Sequence, residues 1–141
     1  MESSKNYDDL KIEQAWLADQ KENVKKYLSD EAVSYINIPE VSWFLVPYIS
    51  VWHIKPDLWV INGDLPTDYI QDKNIISASG AVKYFATRWL EISNYLLKGK
   101  QHPELPIGKS QDTEQLKEMG SLLQNRARLF IKWIDEKIIE N

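Results

Sequence analysis

Side chains able to move a proton or grip an anion crowd into one stretch of this 141-residue chain. Between positions 53 and 72 lie His53 and four aspartates, Asp57, Asp64, Asp68 and Asp72. Two carboxylates facing a cleft can act as acid and base, and histidine titrates where a general base is useful. A catalytic reading therefore pairs Asp64 with His53 and gives Arg88 the task of holding an anionic substrate. The aspartates fit no calcium-loop spacing, and the chain has no cysteine, so neither a metal nor a cofactor is expected. Plainer roles compete with that reading. Asp64 suits a turn, Asp68 a helix cap or an ion pair with Arg88, and His53 a hydrogen bond on a half-exposed sheet. His102 precedes Pro103 in a mobile loop, with no acid close to it in sequence.

Arg88 and Arg126 each stand beside a residue of an apolar stripe, Trp89 and Ala127. A planar guanidinium at such a margin can grip a carboxylate or phosphate through two bonds, or clamp the Asp64–Asp68 segment to the helices. Either version places Arg88 close to Asp64 or Asp68. Six tryptophans and seven tyrosines are many for this length. Trp16, Trp89 and Trp133 fall on or beside helical stripes and belong to a core. Trp43, Trp52 and Trp59 cannot all be buried on one face of a sheet, so exposed aromatic anchors are expected near the aspartates. No nucleophile elbow, phosphate-binding glycine loop, dinucleotide fingerprint or His-Glu-x-x-His motif occurs.

The elements that position these residues follow from periodicity. An amphipathic helix is predicted over about 9–28, capped by Asp8 or Asp9, with Leu10, Leu17 and Val24 on its inner stripe. Val33–Ile38 reads as a short strand. Tyr48–Ile54 and Leu58–Asn62 read as an antiparallel hairpin (about 48–62) turned by Lys55-Pro56-Asp57, and Pro47 belongs at a strand start, bulge or edge. Asn62-Gly63 ends the second strand, and Thr67 and Asp68 open a short helical turn through Tyr69 and Ile70. Ala78, Val82, Phe85, Trp89, Ile92 and Leu96 mark one face of a helix over about 78–98, which Gly99 stops. Residues 99–111 read as a surface loop. An Asp112–Gln115 capping box starts a last helix, about 113–138. Helix, strands, helix, helix gives an α+β class, a small antiparallel sheet packed against three helices.

The run Gly63-Asp64-Leu65-Pro66-Thr67-Asp68-Tyr69 resembles the hallmark of a bacterial family of small proteins of unknown function. The resemblance extends to a Pro-x-x-x-x-Trp strand upstream (Pro47 to Trp52), an Arg-Trp pair on a helix (Arg88-Trp89) and an Arg-Ala step on the last helix (Arg126-Ala127). It spans about Trp16 to Trp133 and implies a fold without implying a chemistry.

A formal net charge of −4 disfavours nucleic acid, whose binders need a basic face. No apolar run approaches the ~20 residues of a membrane helix, and Met1–Tyr7 lacks the pattern of a secretory signal. The sequence thus reads as a single cytoplasmic domain over 1–141, without a membrane role. The preferred function is a protein-binding module rather than an enzyme. An immunity protein that neutralises a basic toxin domain by stoichiometric binding is the concrete instance. Its surface would be Asp64, Asp68, Tyr69, Asp72 and Trp59, with Arg88 and Arg126 behind them. The alternative is a small hydrolase or ligand-binding enzyme with an Asp/His/Arg site at the Gly63–Tyr69 corner.

Overall fold

The computed structural model describes residues 9–139, which form three helices and one antiparallel sheet, the expected α+β class. In chain order these are α1 (Leu10–Asp30), β1 (Trp43–Leu45), β2 (Ile49–Lys55), β3 (Leu58–Gly63), β4 (Leu65–Gln71), α2 (Ala78–Leu96) and α3 (Thr113–Asp135). The sheet has the order β1-β2-β3-β4, all neighbours antiparallel. The chain divides into two compact units, Met1–Ala78 and Ser79–Asn141.

In the first unit, Asp9 starts α1 by accepting from the Lys11 and Ile12 amides at 2.8 and 3.4 Å; Asp8 lies outside the described residues. The inner line of α1 is Gln20, Val24 and Leu28, while Leu10 is exposed. Leu17 is half-buried, so the inner line runs through Gln20 rather than through the expected Leu10 and Leu17. Val24 and Leu28 pack with Ile38, Trp52, Ile54, Leu58 and Val60, one face of the sheet seen from the helix. Residues 33–38 carry no strand, contrary to expectation. Val33, Tyr35 and Ile38 still turn inward onto that cluster, so side-chain burial, rather than a hydrogen-bonded ladder, gives the segment its apolar pattern. A cis Val46–Pro47 peptide lies in the turn from β1 to β2.

The second correction concerns Thr67–Ile70, which is strand and not a helical turn. β4 returns directly after Gly63 because Gly63 adopts φ +145, and a Cβ there would sit 2.9 Å from Ile49 Cα and closer still to the Tyr48 carbonyl oxygen. The Asp64 amide donates to that same carbonyl at 2.9 Å. Two residues, Pro66 and Thr67, on β4 oppose the single Asn62 between paired positions Ile61↔Asp68 and Gly63↔Leu65. Proline, which lacks a ladder donor, falls in this bulge on an edge strand, where it is tolerated.

In the second unit the predicted stripe of α2 is buried throughout, from Ala78 to Leu96. Gly99, with φ +79, donates to the Leu96 carbonyl at 2.8 Å and closes the helix. α3 begins at Asp112, whose carboxylate accepts from the Gln115 amide at 2.9 Å. The expected box closes through a relay: Gln115 Oε1 accepts from Ser110 Oγ at 2.7 Å, and Ser110 Oγ accepts from the Asp112 amide at 3.1 Å. α3 crosses α2 closely at Gly120, where a Cβ would lie 2.8 Å from Leu96 Cβ and 2.9 Å from the Leu97 nitrogen.

Backbone at positive φ gives two predictions of opposite sign. Gly63→Ala should lower the unfolding free energy by about 1–3 kcal/mol, since it adds both strain and a backbone clash. α1 ends on exposed Ala32 at φ 56, with its amide on Ser29 O at 3.1 Å and the Val33 amide on Leu28 O at 2.9 Å. Glycine is the usual residue of this two-bond stop. Ala32→Gly should therefore raise stability by about 1 kcal/mol. Urea unfolding of both variants checks the pair, and equal signs would refute it.

Candidate functional site

The sheet separates the residues that the sequence brings together. His53 pairs with Trp59, and Ile49 pairs with Gly63. His53 is thus four residues, about 13 Å, from the end of the sheet that carries Asp64. No acid–base pair forms across the hairpin end. His53 instead stacks on Trp59, with ring centroids 4.0 Å apart and planes 5° apart, and its Nε2 lies 3.3 Å from the Pro56 carbonyl. That is the structural role the strand position also allowed.

The four aspartates are likewise dispersed. Asp64 is exposed at the β3–β4 turn. Asp68 is buried, on the face turned away from α1, with Oδ1 accepting its neighbour's amide, Tyr69 N, at 2.9 Å. Asp57 and Asp72 meet at the opposite end of the sheet, where the Asp72 amide donates to the Asp57 carbonyl at 2.7 Å. The Asp72 carboxylate accepts from the Asn74 amide at 2.9 Å and so closes a turn. Trp59 is 2% exposed and is no surface anchor; its indole donates to the Ile75 carbonyl at 3.2 Å. Tyr69 is half-buried and meets Tyr27 edge-on at 6.0 Å. Antiparallel register at ~3.3 Å per residue stretches a short sequence interval across the whole sheet, so no single acidic and aromatic face forms from these residues.

What the Gly63–Tyr69 segment does position is a buried polar chain that the sequence did not reveal. Asn62, 3% exposed, donates to Gln20 Oε1 at 2.8 Å and to the Gln20 carbonyl at 3.3 Å. Thr67 Oγ1 donates to Asn62 Oδ1 at 2.6 Å. Trp52 Nε1 donates to Ser50 Oγ at 2.8 Å, and Ser50 Oγ donates to the Asn62 carbonyl at 3.1 Å. These bonds satisfy both ends of the Asn62 amide between helix and sheet, leaving it nothing to offer a substrate. The signal available in sequence was spacing: Gln20 lies four residues before Val24 and eight before Leu28, on their side of α1.

Residues 99–111 form an organised loop rather than a mobile one. His102, 5% exposed, has Nδ1 accepting from the Glu104 and Leu105 amides, both at 3.0 Å. The ring proton therefore sits on Nε2, which donates to Glu91 Oε2 at 2.8 Å. Tyr95 packs edge-on against the ring at 4.5 Å. The missing acid was eleven residues back, near the C-terminal end of α2. Gln101 completes the loop: its amide donates to the Ile107 and Ser110 carbonyls at 3.0 and 3.1 Å and accepts from the Ile107 amide at 3.0 Å.

Arg88 and Arg126 belong to the second unit and are half-buried on α2 and α3. Arg88 Nε is sealed from solvent and has no hydrogen-bond partner among the described residues. Among those residues no cluster of three or more His, Asp or Glu side chains is arranged to hold a metal ion.

One surface of the first unit exposes large apolar side chains. At the Pro56–Asp57 end of the sheet, Ile36 is 99% and Ile76 88% exposed. A groove of about 520 Å³ runs beside Tyr35, Ile36 and Pro56, and another of about 550 Å³ runs beside Pro39, His53 and Ile76. They share Ile54, Lys55 and Pro56. Both isoleucines are held out by anchored neighbours: Tyr35 and Ile38 pack inward around Ile36, and the Trp59–Ile75 bond precedes Ile76.

Residues 10–139 match the family model described as Domain of unknown function (DUF4826). The chain belongs to that family. No curated protein and no solved structure matches it. No described helix is long and apolar enough to cross a membrane.

The His102 arrangement makes a graded prediction. His102→Ala should cost about 1–3 kcal/mol, because two inward amides lose their acceptor. His102→Asn, whose Oδ1 can occupy the place of Nδ1, should recover part of that loss. Hydrogen exchange at the Glu104 and Leu105 amides should be fast in the alanine variant and slow in the asparagine variant; equal rates would count against the role of Nδ1.

Proposed function

We propose that this protein is a protein-binding module that acts by one-to-one association, and that its contact surface is the Ile36–Pro56–Ile76 end of the sheet. The observation that carries the reading is the pair of nearly fully exposed isoleucines on either side of shared grooves. A rigidly presented β-branched side chain in water gains nothing in the free protein and gains burial in a complex, at roughly 25 cal/mol per Å² of apolar area. Lys55 and Lys73 line these grooves, and Asp57 and Asp72 lie in the adjoining turns, so the apolar side chains have charged neighbours of both signs, as in protein interfaces. The partner we favour is a folded domain with an apolar ridge and a basic margin, attracted by the chain's net charge of −4. A bacterial immunity protein that silences a toxin domain is the instance that fits this description. This moves the binding surface from Asp64, Asp68 and Tyr69 to the other end of the sheet and retains only Asp72 from the set expected there.

The test is a double variant, Ile36→Asp with Ile76→Asp, which leaves the core untouched. Against a toxin domain encoded beside this gene, the native protein should form a 1:1 complex by size-exclusion chromatography and protect cells. The double variant should keep its melting temperature, bind at least a hundredfold more weakly and fail to protect. A complex that survives both substitutions would sink the assignment of the surface, and the absence of any complex would sink the function.

A further inference from the structure

The contact surface of the first unit has a charge pattern of its own. Its two grooves meet at Ile54, Lys55 and Pro56. Ile36 lines the groove on one side of this junction, and Ile76 lines the groove on the other. Lys55, half-buried, therefore stands between the two exposed isoleucines, and exposed Lys73 lines the Ile76 groove. Among the described residues, no aspartate or glutamate lines either groove.

Neither ammonium has a carboxylate within ion-pair distance among the described residues. The acids nearest in sequence lie in the adjoining turns, where the Asp72 carboxylate accepts from the Asn74 amide. A half-buried lysine rests its stem on apolar neighbours and keeps its charged head at the water boundary. A partner that covers the junction displaces that water, and a cation left without a counter-charge is then costly. A purely apolar covering is therefore opposed at Lys55. One that brings a carboxylate to the junction supplies the acceptor the ammonium lacks. The chain's net charge of −4 acts on a whole partner at a distance, whereas Lys55 acts on the group that touches it. An anionic lipid surface is disfavoured, because that net charge opposes its approach and a flat bilayer does not fill two grooves.

We infer that the partner segment seated here carries an aspartate or glutamate between two large apolar side chains on one face. Its carboxylate meets Lys55, and its apolar groups pack against Ile36 and Ile76. The inference rests on the protein-binding reading above and specifies its partner: an apolar ridge, acidic at its centre, within a basic margin. Lys73 adds attraction from the Ile76 side. His53 gives that groove a fixed wall, since its ring is stacked on Trp59 and its Nε2 lies 3.3 Å from the Pro56 carbonyl.

The probes are a blocked peptide, Gly-Leu-Ser-Glu-Ser-Leu-Gly, and its versions with glutamine or lysine in place of glutamate. Alternation puts both leucines and the central residue on one face of the extended peptide. Each is titrated against the full chain and followed at the Ile36 and Ile76 methyl signals by NMR. The glutamate peptide should shift both signals saturably, the glutamine peptide should bind severalfold more weakly, and the lysine peptide more weakly still. Lys55→Gln should bring the glutamate and glutamine peptides to equal affinity. Lys55→Glu should reverse the order, so that the lysine peptide binds best. Phosphatidylserine vesicles should leave both signals in place. The inference is overturned if the glutamate peptide gives no saturable shift, if vesicles move the two signals, or if the order of affinities survives in both Lys55 variants. Equal affinities for all three peptides in the native chain would overturn the charge assignment and leave the contact surface standing. Selective binding of the glutamate peptide without any toxin complex would remove the immunity role alone.

Discussion

A backbone turn with no room for a side chain governs the first unit. Gly63 brings β4 back against β3 while its own α-carbon lies against the Tyr48 carbonyl and Ile49, so the β2, β3 and β4 registers are fixed together at this point. The bulge at Pro66 and Thr67 then brings the threonine hydroxyl to Asn62. Asn62 in turn holds Gln20 of α1 through two hydrogen bonds. Helix placement on the sheet is thereby specified by polar contacts within an otherwise apolar layer, where a slip by one residue would leave several buried groups unsatisfied. At the far end lies the Pro56 turn, beside which Ile36 and Ile76 are exposed.

Much of the reactive-looking chemistry in this chain is committed to holding backbone. Asp9 and Asp112 cap helices, Asp72 closes a turn, His53 stacks on Trp59 and His102 serves as the hub of a loop. Each of these side chains already has partners at hydrogen-bond or stacking distance. Arg88 stands apart. Its buried Nε has no partner among the described residues. Unsatisfied buried groups of this kind are rare in folded proteins.

The two units therefore carry contacts of different character. The first presents rigid apolar side chains with a charged rim, suited to a surface of similar size and shape on another macromolecule. The second presents a groove of about 470 Å³ along α2 whose lining carries Lys83, Arg88 and Glu91. Neither relies on the paired carboxylate and imidazole that their proximity in sequence suggested.

The α+β class, the helix limits to within a few residues, the hairpin and the helix caps at Asp9 and Asp112 could be read from the sequence, because periodicity, capping and turn chemistry act over a few residues. The stripe of α2 was legible for the same reason: all six of its predicted positions are buried. Tertiary structure decided the rest. Thr67–Ile70 became strand because the Gly63 turn offered β3 as a partner, a long-range gain that outweighs local helical preference. Asp57 and Asp72 met while Asp64 moved to the opposite end of the sheet, because antiparallel pairing converts sequence position into distance along a strand. His102 found Glu91, and Gln20 found Asn62, across eleven and 42 residues. Composition and local spacing determine which segments fold into which elements; only the packed chain determines which polar groups find one another, because that depends on where those elements come to rest.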